Sequence, residues 1–174
     1  MSAAALGVDQ AEVVWVHDGD YHAVASAMIA HASCRVLASV FIVDADTERD
    51  TDLKVESLLY EMGCAAWRGT DARLLVGGSH QNLDIARASF TALATARLHG
   101  LDARWLTRRA QRGSHAKLLI TDDSVLTGSH NWSGGAMTGQ TQDSLRVQSP
   151  ALAAWLAAWF ERQWALAGRG TRRS

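Results

Sequence analysis

The sequence predicts an α/β fold in which a mixed β-sheet is layered between helices. Three observations carry this. Short apolar runs alternate with longer amphipathic ones along most of the chain. One run, Arg35 to Val43, is almost continuously apolar, as a central strand covered on both faces must be. Near the middle, the runs Leu118 to Ile120 and Val125 to Leu126 flank the polar corner Thr121-Asp122-Asp123-Ser124, which reads as a β-hairpin.

The elements follow in order. Glu12 to His17 is a strand that ends at the turn Asp18-Gly19-Asp20. Tyr21 to His31 is a helix with Val24, Met28 and Ile29 inward. After the central strand comes a charged loop, Asp44 to Asp52. It lacks the glycine and terminal glutamate of a calcium loop. Leu53 to Trp67 is a second helix, apolar at Leu58, Leu59 and Met62, and Ala72 to Val76 is a strand that stops at Gly77-Gly78. Asn82 to Leu98 is a long helix that buries Ile85, Ala88, Ala92, Leu93 and Ala96, with Gly100 ending it. Asp102 to Leu106 is a short strand. The hairpin runs out into Gly128-Ser129-His130-Asn131 and then a glycine-rich polar loop, Ser133 to Gln142. Asp143 to Val147 is the last strand. Pro150 opens a final helix with Leu152, Trp155, Leu156, Trp159 and Phe160 on one stripe, core by expectation or else a subunit contact.

A chain of 174 residues, 48% hydrophobic and 20% charged, supports one domain with a full core. The expected division is a flexible amino terminus over 1–11, one domain over 12–167 and a basic flexible tail over 168–174. A net charge of -1 excludes a globally basic nucleic-acid binder but leaves room for a local basic patch. Arg104, Arg108, Arg109 and Arg112 form such a run just before the hairpin. Cys34 and Cys64 have neither CxxC nor Cys/His spacing and are expected as reduced, partly buried thiols. No signal-like segment or bilayer-length apolar run is visible, so the expected location is cytoplasmic, without stable membrane association.

The chemistry concentrates in 114–132. His115 and Lys117 are two apart, so in a strand they project from one face. The Gly-Ser-His-Asn turn that ends the hairpin brings a hydroxyl and an amide to the same end of the sheet. An imidazole can attack or move a proton, and an ammonium and an amide can hold phosphate oxygens.

His115, Lys117 and Asp122, followed by Gly128-Ser129-His130-Asn131, resemble the signature of the phospholipase D superfamily. The likeness is specific in this stretch and weaker elsewhere. It implies an α/β sandwich, in agreement with the pattern of elements. It also implies that His115 is the nucleophile of a covalent phosphohistidine, and that Lys117 and Asn131 bind the non-bridging oxygens. An isolated strand histidine is more often a satisfied structural group; it is the register with Lys117 and Asn131 that favours the nucleophile. Ser129 either adds a hydroxyl to the pocket or shapes the turn. A histidine nucleophile needs an acceptor on its other nitrogen. The family supplies a Glu on the strand after the turn, where this chain has the shorter Asp143. Asp122 completes the signature but sits at the far corner of the hairpin, where it is expected to cap the turn. His130 and Trp132 border the pocket as candidate substrate contacts, as do Arg108, Arg109 and Arg112; Trp132 could stack a base, but a buried core tryptophan is the favoured reading. The remaining histidines, at 17, 22, 31, 80 and 99, read as structural or on the surface.

The resemblance to small bacterial endonucleases implies a phosphodiesterase that cleaves DNA or RNA without metal or cofactor, since His115, Lys117 and Asn131 are a poor metal set. A single His-x-Lys motif supplies only half of an acid–nucleophile pair, so a homodimer with the site on its two-fold axis is expected. A phospholipid-headgroup hydrolase or transferase would share all of this chemistry. A family domain kept only for binding is the third reading.

Overall fold

A computed structural model describes residues 11–46, 48, 53–79, 81–106 and 114–167. The expectations for the amino terminus before residue 11, for Arg108, Arg109 and Arg112, for His80 and for the tail from 168 fall outside these residues.

The elements are β1 (Glu12–His17), α1 (Asp20–His31), β2 (Arg35–Val40), α2 (Lys54–Trp67), β3 (Asp71–Val76), α3 (Leu83–Leu98), β4 (Asp102–Trp105), β5 (Lys117–Ile120), β6 (Ser124–Gly128), α4 (Gly134–Thr138), β7 (Asp143–Gln148) and α5 (Pro150–Leu166). One seven-stranded sheet runs β1-β7-β6-β5-β2-β3-β4. β2, β3 and β4 are parallel, joined by the crossover helices α2 and α3; the other pairings are antiparallel.

Alternation along the central strands divides the core in two. Val36, Ala38 and Val40 of β2 face α1, α2 and α3, together with Leu74, Val76, Leu119 and Leu126. Leu37, Leu75, Ile120 and Val125 point the other way, to α5. β2 is therefore mostly apolar, with Ser39 the one polar residue in its interior, because both of its faces are covered. α3 opens on Asn82, whose side chain accepts from the N–H groups of Asp84 and Ile85, and closes at Gly100 with φ +75°.

The structure corrects the sequence reading in five places. The central strand stops at Val40, three residues short of the apolar run, and Val43 forms an isolated bridge with Trp132 instead. The glycine-rich stretch after Trp132 contains the short helix α4, capped by Ser133. The buried stripe of α5 is Ala153, Ala157, Phe160 and Trp164. Trp155 is exposed, because small alanines let the helix lie close to the sheet and turn the bulky side chain outward. Cys34 is exposed rather than partly buried. Finally, His115 precedes β5: the ladder with β2 ends at Val40 opposite Lys117, with one further bond from Phe41 N–H to the Ala116 carbonyl.

Candidate active site

The hairpin is fixed at both ends, and the two ends do different work. At its corner, the Asp122 carboxylate accepts hydrogen bonds from the N–H groups of Ser33, Cys34 and Arg35 and from the Ser33 hydroxyl, at 2.7 to 3.0 Å. Partial burial pushes its pKa up, but these four bonds outweigh it and hold the carboxyl below its ordinary value. Asp122 thus fastens the corner to the loop before β2, away from the open end of the hairpin.

At the open end, His115 is exposed and its ring lies 4.2 Å from that of Phe41. Lys117 is buried, with Nζ 2.9 Å from His115 Nδ1, 3.0 Å from the His115 carbonyl and 5.4 Å from the Phe41 ring centroid. Burial lowers the Lys117 pKa. The segment carrying His115 lies hard against the end of β3. A Cβ on Gly77 would sit 2.3 Å from the Ser114 carbonyl, so no larger residue fits there.

Asn131 reaches the same stretch of backbone from the other side. Its Oδ1 accepts from the Ile42 N–H at 3.2 Å, one residue beyond the Phe41 N–H that holds Ala116. With the oxygen so used, the Nδ2 hydrogens remain available to a ligand. The turn before Asn131 is equally constrained. A Cβ on Gly128 would meet the Asp143 carbonyl at 2.2 Å. Ser129 Oγ accepts from Asp143 N–H and donates to the Asp143 carbonyl, which ties the hydroxyl to the turn.

Two assignments change. His130 and Trp132 are 0% exposed, so His130 is not the substrate contact expected of it, and Trp132 is the buried core tryptophan rather than a base-stacking surface. His130 Nε2 donates to the Asp18 carbonyl at 3.1 Å, Nδ1 takes the Ser144 hydroxyl at 2.8 Å, and the ring stacks on Tyr21 at 4.4 Å. Burial lowers its pKa against the opposing pull of Asp18 and Asp143. Trp132 Nε1 donates to the Tyr21 hydroxyl. Asp143, expected on the second nitrogen of His115, instead accepts from the Trp15 indole N–H at 3.0 Å. Among the described residues, the hydrogen-bond partner of the His115 ring is Lys117. Arg104, the first of the basic run, is held over Trp164 at 4.1 Å and donates to its carbonyl at 3.1 Å, so its guanidinium is engaged by α5.

Phe41, Gly77, Tyr21 and Trp15 carry much of this geometry, and the sequence pointed to none of them as site residues. Only the Gly77-Gly78 pair gave a signal, as a strand stop. Among the described residues, no group of three His, Cys, Asp or Glu side chains is placed to hold a metal ion.

The family described as "Cardiolipin synthase, PLD-like domain" matches residues 26–164. The chain belongs to this phospholipase D-like family. No curated protein sequence matches it significantly. Among solved structures, this phospholipase D-like chain is similar to Nuc, a phospholipase D family member from Salmonella typhimurium. The two share 20% identity and a TM-score of 0.73, over 91% of this chain and 97% of that one. NucT from Helicobacter pylori matches with 13% identity and a TM-score of 0.62, over 91% and 98%. Phosphatidylserine synthase from Haemophilus influenzae matches with 14% identity and a TM-score of 0.64, over 91% of this chain but 37% of that one. At these identities the likeness establishes the phospholipase D-like fold, and the family is one of proteins that act on phosphodiesters.

Proposed function

We propose that this chain is a metal-independent phosphodiesterase that cleaves DNA or RNA through a covalent phosphohistidine on His115. The observation that carries the reading is the convergence of an exposed imidazole, a buried ammonium and an amide with free N–H groups at one end of the sheet. His115 attacks phosphorus, a P–N bond forms, and the leaving oxygen departs with a proton from an acid. Water then attacks the phosphohistidine, and the imidazole leaves. Lys117 and Asn131 hold the non-bridging oxygens as charge develops. At rest the Lys117 ammonium donates to Nδ1, which puts the ring hydrogen on Nε2. Attack through Nε2 therefore requires Lys117 to turn to phosphate and Nδ1–H to find an acceptor. Asp143 takes that role once the Trp15 indole releases it.

The acid is the His115 of a second copy of the chain. In support, α5 packs on β2, β5 and β6, and among the described residues the β1–β7 part of that sheet face carries exposed apolar side chains. Val13 and Trp15 of β1 lie there beside Val147 and Leu145 of β7, and Val13, Trp15 and Leu145 are exposed, Trp15 by 66%. A self-complementary apolar face next to the Ser129–Asp143 turn fits an isologous contact.

Nucleic acid is favoured as substrate by size: the chain spans nearly the whole of Nuc and NucT. A phospholipid is the second reading, favoured by exposed apolar side chains on the outer helices, Tyr60 and Trp67 on α2 and Leu83, Phe90 and Leu98 on α3. No helix among the described residues is long and apolar enough to cross a membrane. The deciding experiment offers purified protein single-stranded DNA, duplex DNA, RNA, bis(p-nitrophenyl) phosphate and phospholipid vesicles, all in EDTA. Cleavage of a nucleic acid is the expected result. Headgroup release alone supports the second reading, and no turnover of any substrate supports a binding domain. Activity lost in EDTA and restored by zinc or magnesium overturns the metal-independent mechanism.

A further inference from the structure

The geometry points to His130 as a positioning residue, a buried strut that sets the carboxamide of Asn131 for phosphate. This deepens the phosphodiesterase reading and rests on it. In the motif His130 stands between two polar neighbours, Ser129 and Asn131, and the usual expectation for such a place is a surface contact or a filler. Its environment is neither. The ring is 0% exposed and both nitrogens are engaged, each by a different element: Asp18 in the turn after β1, and Ser144 on β7. Tyr21 of α1 stacks on the ring face.

The direction of the bonds is fixed. The Asp18 carbonyl can only accept, so Nε2 carries the hydrogen and Nδ1 accepts from the Ser144 hydroxyl. Asp18 is itself immobilised, its N–H on the Gln142 carbonyl and its Oδ1 on the Gln142 N–H. On the other side of Asn131, Trp132 is tied to the same tyrosine, Nε1 to Tyr21 Oη at 3.0 Å. Its backbone is laced to the chain beyond β2, N–H to the Ile42 carbonyl and carbonyl to the Asp44 N–H. The residues before and after Asn131 are thus anchored on one side chain, Tyr21. The backbone held between them presents the Asn131 Oδ1 to the Ile42 N–H at 3.2 Å. That bond decides which end of the carboxamide faces outward. A phenylalanine at 130 would fill the space and keep the stack, but it would release Asp18 and Ser144 and let the turn drift. A displacement on the order of 1 Å of a group that must meet the transition state costs about 100-fold in rate.

The test uses the full chain with His130→Phe, Ser144→Ala and His130→Gln. For His130→Phe the expected kcat on the preferred substrate falls by about 10- to 100-fold while KM stays within about twofold. His130→Gln, which retains a donor for the Asp18 carbonyl, recovers part of the loss, and Ser144→Ala reproduces part of it. Amide hydrogen exchange reads the same strut without catalysis. In His130→Phe the Ile42 N–H loses protection while Leu37 and Ala38 in the middle of β2 keep theirs. Unchanged kcat together with unchanged Ile42 protection overturns the inference. So does a uniform loss of protection along β2 with no split between kcat and KM, which marks an ordinary core residue. If the wild-type chain turns over no phosphodiester, the enzymatic reading falls, and the exchange of Ile42 alone decides whether His130 sets Asn131.

Discussion

At the scale of single residues, the site separates groups that act from groups that hold. His115 is the exposed ring, and His115→Asn is expected to abolish turnover in a protein that remains folded, checked by cleavage assay and circular dichroism. Lys117→Ala and Asn131→Ala are expected to lower kcat by about 100- to 1,000-fold, the scale for deleting one donor to a developing negative charge. An effect confined to KM would remove both from transition-state stabilisation. Asp122 belongs to the holding class, and it makes a pH prediction. Its folded-state pKa lies below the ordinary value. Its carboxylate therefore stabilises the fold fully above about pH 4, the unfolded value. That contribution is lost as pH falls through the lower folded value. Urea unfolding should show wild type more stable than Asp122→Asn at neutral pH, with the gap closing at acid pH. A gap that widened with acid would reverse the assignment.

At the scale of elements, what the sequence revealed depended on how local the cause was. The His115, Lys117 and Asn131 offsets were legible because one short stretch of chain, the hairpin and its two flanks, carries all three. The parallel strands β2 and β3 were legible because burial on both faces leaves them mostly apolar, Val36 to Ala38 in β2 and Leu74 to Val76 in β3. The bond from Trp15 to Asp143 joins residues 128 apart, and no local pattern encodes it. The same holds for Gly77, whose small size matters only because Ser114 lies against it. On α5 the expected stripe holds at Phe160, with Leu152, Leu156 and Trp159 packed against the same cluster, and fails at Trp155, because the most buried line of the helix runs through Ala153 and Ala157. Phe160, fully buried between α5 and the sheet, tests this division of the helix. Phe160→Ala is expected to cost about 3–5 kcal/mol in urea unfolding, and Trp155→Ala, on the open side, far less. Equal losses would restore the original stripe. Asn82→Ala removes the cap on two N–H groups of α3 and is expected to cost about 1 kcal/mol without touching activity.

At the scale of the whole molecule, the proposed mechanism makes the site half of a reaction centre. One subunit holds one exposed imidazole beside Lys117, while the two-step displacement needs a nucleophile and an acid on opposite sides of phosphorus. In the proposed dimer the two-fold contact lies on the exposed apolar residues of β1 and β7, where the second imidazole would meet the first. Leu145→Glu places a charge on the face at a half-exposed position that the lone subunit tolerates. It is expected to give a folded monomer by light scattering, with activity lost. A stable, active Leu145→Glu dimer would move the interface elsewhere. Mixing subunits then tests whether the site is shared. Wild-type chains are exchanged with increasing His115→Ala at fixed total protein. If each subunit worked alone, activity would fall in proportion to the wild-type fraction. If one pocket needs both imidazoles, only the wild-type pairs work, and activity falls as the square of that fraction. A linear decline, or an active monomer, would leave the acid to another group within the same chain.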